Sequence, residues 1–410
     1  MNLSSSIEQA IERSSLIRKM FEEGQALITK YGKDKVFDFS LGNSVLEPPP
    51  EVKATLLKLL NSNEKGLHRY MSNQGLMETR AYIANQIKAE TQIDFTADDI
   101  VMCAGAASGL NTVIKTLCNP GDEVVVLSPF FMEYRAYIAN HGATIKVVET
   151  TDQFQIDFEK LTAAINSNTR AVIINSPNNP TGVIYPEADI QKLGELITRK
   201  SKEFNKTITL ISDEPYRRIT FDNAVVPIIF KHLTEAIVVT SYSKDIAIPG
   251  ERMGYIAVSP NSENKSNLMA GLVIALRTLG FVNAPALFQR VIPHASSALV
   301  DIDVYKKNRD MLYNHLTNLG LSCIKPTGAF YLFPQTPIAD DMEFIQLAKQ
   351  YNLLLVPGSA FGTPGYFRIS YCCDPEMVKR SLPVFTQLIE KINEQEKARK
   401  KKQERKSTHN

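Results

Sequence analysis

The sequence predicts an α/β protein: a large domain with a mostly parallel seven-stranded sheet between helices, and a smaller α+β domain formed by the N-terminal arm and C-terminal segment. Three observations carry that expectation. Between about Asp99 and Ser259, short β-branched runs alternate with segments of helical length. Those runs are apolar almost throughout, as strands buried on both faces must be, rather than alternating apolar with polar. After about Asn261 the order changes to long helical stretches followed by three more short runs.

Taken in order, the chain opens with a capping pair, Ser6 and Gln9, that predicts an amphipathic helix carrying Ile7, Ile11, Ile17 and Phe21 inward. It then reaches FDFSLGNSVLEPPP, where the proline triplet forbids regular structure. Seven strand candidates follow: DIVMCAG, DEVVVLSP, TIKVVET, RAVIINSP, TITLISDEP, AIVVTSYSK and MGYIAVS. GAFYLFP, NLLLVPG and FRISYCC supply a second, smaller sheet, with which the N-terminal arm is expected to pack. The expected divisions are the arm at 1–45, the large domain at 46–295, the small domain at 296–396 and a basic, disordered tail at 397–410.

The chain has 410 residues and a formal charge of +2, but the charge is unevenly placed. Its last fourteen residues hold seven Lys or Arg against one Glu, which leaves 39 basic and 43 acidic residues elsewhere. A mildly acidic body offers neither a nucleic-acid nor a membrane face. Five cysteines without CxxC spacing suit a reducing compartment better than a disulfide framework. Six histidines scattered singly point to no metal. The start carries Glu8 and Glu12 without an apolar core, and no run approaches ~18 apolar residues, so a cytoplasmic protein is expected.

In open parallel sheets, ligands bind outside the carboxyl ends of the strands. The first strand candidate runs into AGAASGLNTVIKTL, so the amides of Ala106 and Ala107 can line a helix N-terminus suited to a phosphate. Taken alone, such a turn is ordinary packing. SPFFMEY places Phe131 nearby as a flat surface for a ring, and RAVIINSP leads into NNPTG, where Asn179 precedes turn-forming Pro180 and Gly182. TITLISDEPY ends in Asp213 with Tyr216 three residues on; an acid there loses hydration unless it meets a cationic partner. AIVVTSYSK then places Lys244 just past a buried strand.

Phosphate donors, a stacking ring, a buried acid, a polar pair and a lysine at one edge are the parts that pyridoxal phosphate requires. Lys244 would form the Schiff base with its aldehyde and then serve as the base that moves the proton. Asp213 would pair with the protonated pyridine nitrogen, and Tyr216 and Asn179 would hydrogen-bond the ring hydroxyl oxygen. Ser241, Ser243 and Arg252, with the Ala106 and Ala107 amides, would hold the phosphate, the Pro249–Gly250 turn swinging Arg252 back toward it.

These segments, together with SLGN, HRYMSNQG, PGDEVVVLSPFF, PGERMGY, PTGAFY and PGSAFGTPGYFRIS, resemble the class I and II aminotransferases, the aspartate aminotransferase-like group of fold-type I pyridoxal-phosphate enzymes. The likeness covers nearly all of the chain except the tail. It implies exchange of an amino group between an L-amino acid and a 2-oxo acid by a ping-pong mechanism. It further implies that Arg368 takes the substrate α-carboxylate, a task for a planar fork. Gly42 would lie in the loop closing over the substrate, and Tyr70 would reach the phosphate of the neighbouring subunit, making the active unit a homodimer.

The chain departs from the family's pattern at three places. Ala107 stands where some acid-specific relatives have a lysine, Arg277 is one residue out of register for a side-chain carboxylate and is read as an exposed helix residue, and Phe131 replaces the frequent Trp or Tyr. A preference for aspartate or glutamate therefore stays open. So does another pyridoxal-phosphate reaction on the same scaffold, such as β-elimination or decarboxylation. A cofactor-sensing regulator is disfavoured, because no helix-turn-helix unit precedes the matching region.

Overall fold

A computed structural model describes residues 26–407, together with 3–5, 7, 8, 11 and 24, with side chains to residue 398. The chain divides into two compact units, one of Leu46–Ile302 with Thr327–Ala329, the other of Met1–Val45, Asp303–Pro326 and Phe330–Asn410. In chain order the strands are β1 (Phe37–Asp38), β2 (Ile100–Cys103), β3 (Glu123–Ser128), β4 (Thr144–Glu149), β5 (Thr169–Asn175), β6 (Thr209–Asp213), β7 (Ala236–Ser241), β8 (Gly254–Val258), β9 (Tyr331–Leu332), β10 (Leu353–Leu354), β11 (Val356–Pro357) and β12 (Phe367–Ser370).

The seven strands β2 to β8 form one sheet in the order β2-β8-β7-β6-β5-β3-β4. All neighbours are parallel except β8, which runs antiparallel to both β2 and β7. Because successive side chains point to opposite faces, an apolar run feeds two cores at once. Val124 and Val126 join Leu110, Val113 and Leu272 on one side, from the helices Gly105–Leu117 and Lys265–Thr278. Val125 and Leu127 join Ile83, Leu193 and Val291 on the other, from the helices Met77–Thr91, Glu187–Glu203 and Ala286–Ala295. All seven sequence-predicted strands are present, each a residue or more shorter than its apolar run.

The smaller unit holds an antiparallel sheet β11-β12-β9 and a parallel pair, β1 with β10. Phe37 lies opposite Leu353, so the N-terminal segment is tied in by main-chain pairing. No helix among the described residues is long and apolar enough to cross a membrane.

Three local expectations change. The proline triplet does not exclude regular structure: Pro50 occupies the first turn of the helix Pro50–Leu60, where its missing N–H has no acceptor to lose. Ile7 and Ile11 are exposed rather than turned inward; the capping pair Ser6 and Gln9, with Ile17 and Phe21, lies outside the described residues. The final helix, Pro375–Ser407, carries on through most of the basic run that composition marks as disordered. That run contains no glycine or proline and consists largely of Lys, Arg, Gln, Glu and Ala, all good helix formers.

Candidate active site

The reversal of β8 assembles the first part of the site. Gly254, its first residue, is opposite Cys103 of β2 and Ser241 of β7, both at the carboxyl edge of the sheet. The loop between β7 and β8, with Ser243, Lys244 and Arg252, therefore begins and ends at that edge. Lys244 is half-buried between two buried neighbours, Ser243 and Asp245.

The helix Gly105–Leu117 starts two residues after Cys103, and no side chain caps it. The amides of Ala106 and Ala107 belong to its first turn, where N–H groups have no acceptor within the helix. Arg252, with a left-handed backbone (φ 51), follows the 3-10 turn Pro249–Glu251. Its guanidinium donates to the carbonyls of Pro249 at 2.9 Å and Ala104 at 3.4 Å. A cation and a helix N-terminus thus meet at one point, and both favour an anion.

Asp213 ends β6, in register with Asn175 of β5. Its side chain is buried. Tyr134 donates its hydroxyl to Oδ2 at 2.5 Å, whereas Oδ1 is buried without a hydrogen-bond partner. Burial pushes the carboxyl up to about 7; the Tyr134 hydrogen bond opposes that shift and the nearby Glu214 carboxylate adds to it. Among the described residues no cation pairs with this acid: a neutral phenol takes one oxygen, and the other has no hydrogen-bond partner.

Asn175 fastens the next loop to this strand. Its amide donates to the Asp213 carbonyl at 2.8 Å, and its own oxygen accepts from the Asn179 amide N–H at 2.7 Å. Asn178 closes the NNPTG turn by accepting from both the backbone and the hydroxyl of Thr181. Phe131 is half-buried and meets Tyr134 edge-to-face, with centroids 5.7 Å apart at 83°. Tyr216 is buried three residues beyond Asp213.

The large unit therefore sets Arg252 and the Ala106 and Ala107 amides at the start of one helix, with Ser241 at the neighbouring strand end and Ser243 and Lys244 in the loop that follows it. Asn179, through Asn175, and Phe131, through Tyr134, are linked to Asp213, and Tyr216 follows it by three residues. Tyr70 is 92% exposed. Arg277 is exposed on the helix Lys265–Thr278, as expected.

In the smaller unit, Arg368 on β12 donates to the Ser40 carbonyl at 2.6 Å. Its guanidinium lies 4.7 Å from the Tyr331 ring centroid and 4.9 Å from that of Phe361. Gly42 shares this neighbourhood, since a side chain there would run into the Tyr331 hydroxyl.

Sequence reasoning passes over Tyr134, Asn175 and Gly105. Tyr134 has a weak signal, its spacing three residues after Phe131. Asn175 has one too, as the polar end of an otherwise apolar strand. Gly105 leaves room for the Arg252 guanidinium, which a side chain there would meet; that partner is nearly 150 residues away, so Gly105 has no local signal.

A family model described as "Aminotransferase class I and II" matches residues 34–384. The chain belongs to this family. Among relatives, this aminotransferase is 31% identical to the probable aspartate aminotransferase of Methanocaldococcus jannaschii, over 80% of this chain and 87% of that one. Among solved structures, an amino transferase from Eubacterium rectale superposes with a TM-score of 0.92 at 42% identity, covering 95% of this chain and 99% of the other. The aspartate aminotransferase of Thermotoga maritima gives a TM-score of 0.83 at 28% identity, covering 95% and 100%. The mixed α/β architecture of this aminotransferase is that of its structural neighbours.

Proposed function

We propose that this aminotransferase binds pyridoxal 5'-phosphate at the carboxyl edge of its large sheet and exchanges an amino group between an L-amino acid and a 2-oxo acid in two alternating half-reactions. The observation that carries the reading is Asp213 Oδ1, a buried carboxylate oxygen without a donor, on the same sheet edge as a helix N-terminus joined by an arginine. A cationic ring bearing a phosphate fits both features. When bound, the cofactor supplies an aldehyde that joins amines and a ring that accepts electrons from the substrate Cα.

The chain's own residues divide the work. Lys244 Nζ holds the cofactor covalently between turnovers and, once released, moves the proton at the substrate Cα. Asp213 Oδ1 accepts from the ring nitrogen, and this charge pairing keeps the nitrogen protonated. Tyr216 and Asn179 donate to the ring hydroxyl oxygen, and Phe131 covers a ring face. Ser241, Ser243, Arg252 and the Ala106 and Ala107 amides bind the phosphate.

Arg368 takes the substrate α-carboxylate, and the loop carrying Gly42 covers the substrate. Tyr70, exposed in the single chain, reaches the phosphate held by a second copy in a homodimer. The enzyme works in the cytoplasm. Relatives named as aspartate aminotransferases make aspartate the first substrate to test, although Ala107 leaves acidic preference open.

Mixing the cofactor-loaded protein with single amino acids tests the reading. Transamination converts the bound cofactor to its amine form and releases one equivalent of 2-oxo acid. Release of ammonia or carbon dioxide with the starting absorbance restored would replace it with β-elimination or decarboxylation.

A further inference from the structure

Tyr134 touches two of the groups assigned to the cofactor and has no role in the account above. Its hydroxyl donates to Asp213 Oδ2 at 2.5 Å, and its ring meets Phe131 edge-on. Among the described residues it is the sole hydrogen-bond donor to the Asp213 side chain. Tyr134 is held in turn by the core, 1% exposed and packed in the cluster that contains Val126, Ile173 and Ile211.

The choice of a phenol has a physical consequence. Burial raises the Tyr134 hydroxyl well above its usual range, so it stays protonated and neutral wherever the enzyme works. An arginine or lysine at this place would pair with the carboxylate and neutralise it. A neutral donor instead fixes the carboxyl rotation through one oxygen and leaves its charge for whatever meets the other.

We propose that Tyr134 is a positioning residue for the cofactor ring: its hydroxyl fixes the Asp213 carboxylate with Oδ1 presented to the ring nitrogen, and its ring edge sets the tilt of Phe131. The proposal rests on the pyridoxal-phosphate reading above.

Tyr134→Phe removes the donor and keeps the ring, so core volume and the Phe131 contact survive. The experiment measures the equilibrium affinity of the cofactor-free protein for pyridoxal phosphate, with and without this change, in the natural chain and in Asp213→Asn. Thermal unfolding of each protein confirms that it is folded. In the natural background, affinity falls about 10-fold or more, as for loss of a hydrogen bond to a charged group. The absorbance maximum of the bound cofactor also shifts, a change that packing alone does not produce. In the Asp213→Asn background the same replacement changes affinity by less than about 2-fold, because the group it acts through is gone. Unchanged affinity in the natural background, or equal weakening in both, would overturn the proposal. Failure of the unsubstituted protein to take up pyridoxal phosphate would instead overturn the reading of the site, and with it this inference.

Discussion

The guanidinium of Arg252 occupies the space that a side chain on Gly105 would need: a Cβ built there lies 2.6 Å from Nη2. The two meet because Gly254 pairs with Cys103 on one side and Ser241 on the other. Gly254 also has no room for a side chain, since a Cβ would approach Gly105 Cα to 2.9 Å. Gly105→Ala must therefore displace the arginine from the helix start. Its backbone (φ +79) adds strain of roughly 1–2 kcal/mol for any L residue. Affinity for pyridoxal phosphate should fall at least about 10-fold, while affinity for pyridoxal, which lacks the phosphate, changes little. Parallel titrations with the two compounds check this, and equal losses for both would contradict it.

Asn175 is predicted to be the bolt between β6 and the NNPTG loop. Asn175→Ala leaves a buried carbonyl and a buried N–H without their present partners, at Asp213 and Asn179. Roughly 2–4 kcal/mol of stability should be lost. Denaturant unfolding measures it; a loss below about 1 kcal/mol would show that the loop is held by other contacts.

Asp213 makes stability depend on pH in a definite direction. Its folded carboxyl titrates at about 7 against an ordinary 3.8, so between those values the folded chain holds a proton that the unfolded chain has lost. Stability of the cofactor-free protein contributed by this group is full below about pH 4, falls as pH rises through the window, and is level above it. The groups that act on it, Tyr134, Tyr137 and Glu214, remain when it is replaced. Asp213→Asn should therefore be the more stable protein at pH 8, by at most on the order of 4 kcal/mol, with the gap closing toward pH 4. Thermal unfolding of both cofactor-free proteins at pH 5 and 8 tests this, and a less stable variant at pH 8 would refute it.

Arg368→Lys should separate substrate binding from cofactor binding. A lysine keeps the charge but loses the planar fork now pinned to the Ser40 carbonyl beside the Tyr331 and Phe361 rings. The KM for amino acid is expected to rise about 10-fold or more, with pyridoxal-phosphate affinity unchanged. Steady-state kinetics and a cofactor titration decide; an unchanged KM would remove Arg368 from the substrate site.

How much of this was legible in the sequence follows from the range of the interactions involved. Val124 to Leu127 mark a strand by themselves, because a strand covered on both faces must be apolar at every position. Asp213 and Lys244 stand out as charges at the ends of such strands. Tyr134 does not, since a tyrosine in an apolar segment is ordinary core until Asp213 is placed against it. Gly105 and Gly254 gain their meaning only from the antiparallel pairing of β8 with β2, which no local pattern encodes. At the tail, charge suggests a solvated coil, yet local propensity favours the helix that continues to Ser407. For Ile7 and Ile11, spacing marks an apolar face, and within the single chain that face stays exposed.

The central claim is that one amine, that of Lys244, carries the cofactor. Borohydride reduction of the pyridoxal-phosphate-loaded protein, followed by proteolysis and mass mapping, tests it most directly. A single modified peptide is expected, with the label on Lys244. A label on another lysine, or none at all, would contradict it.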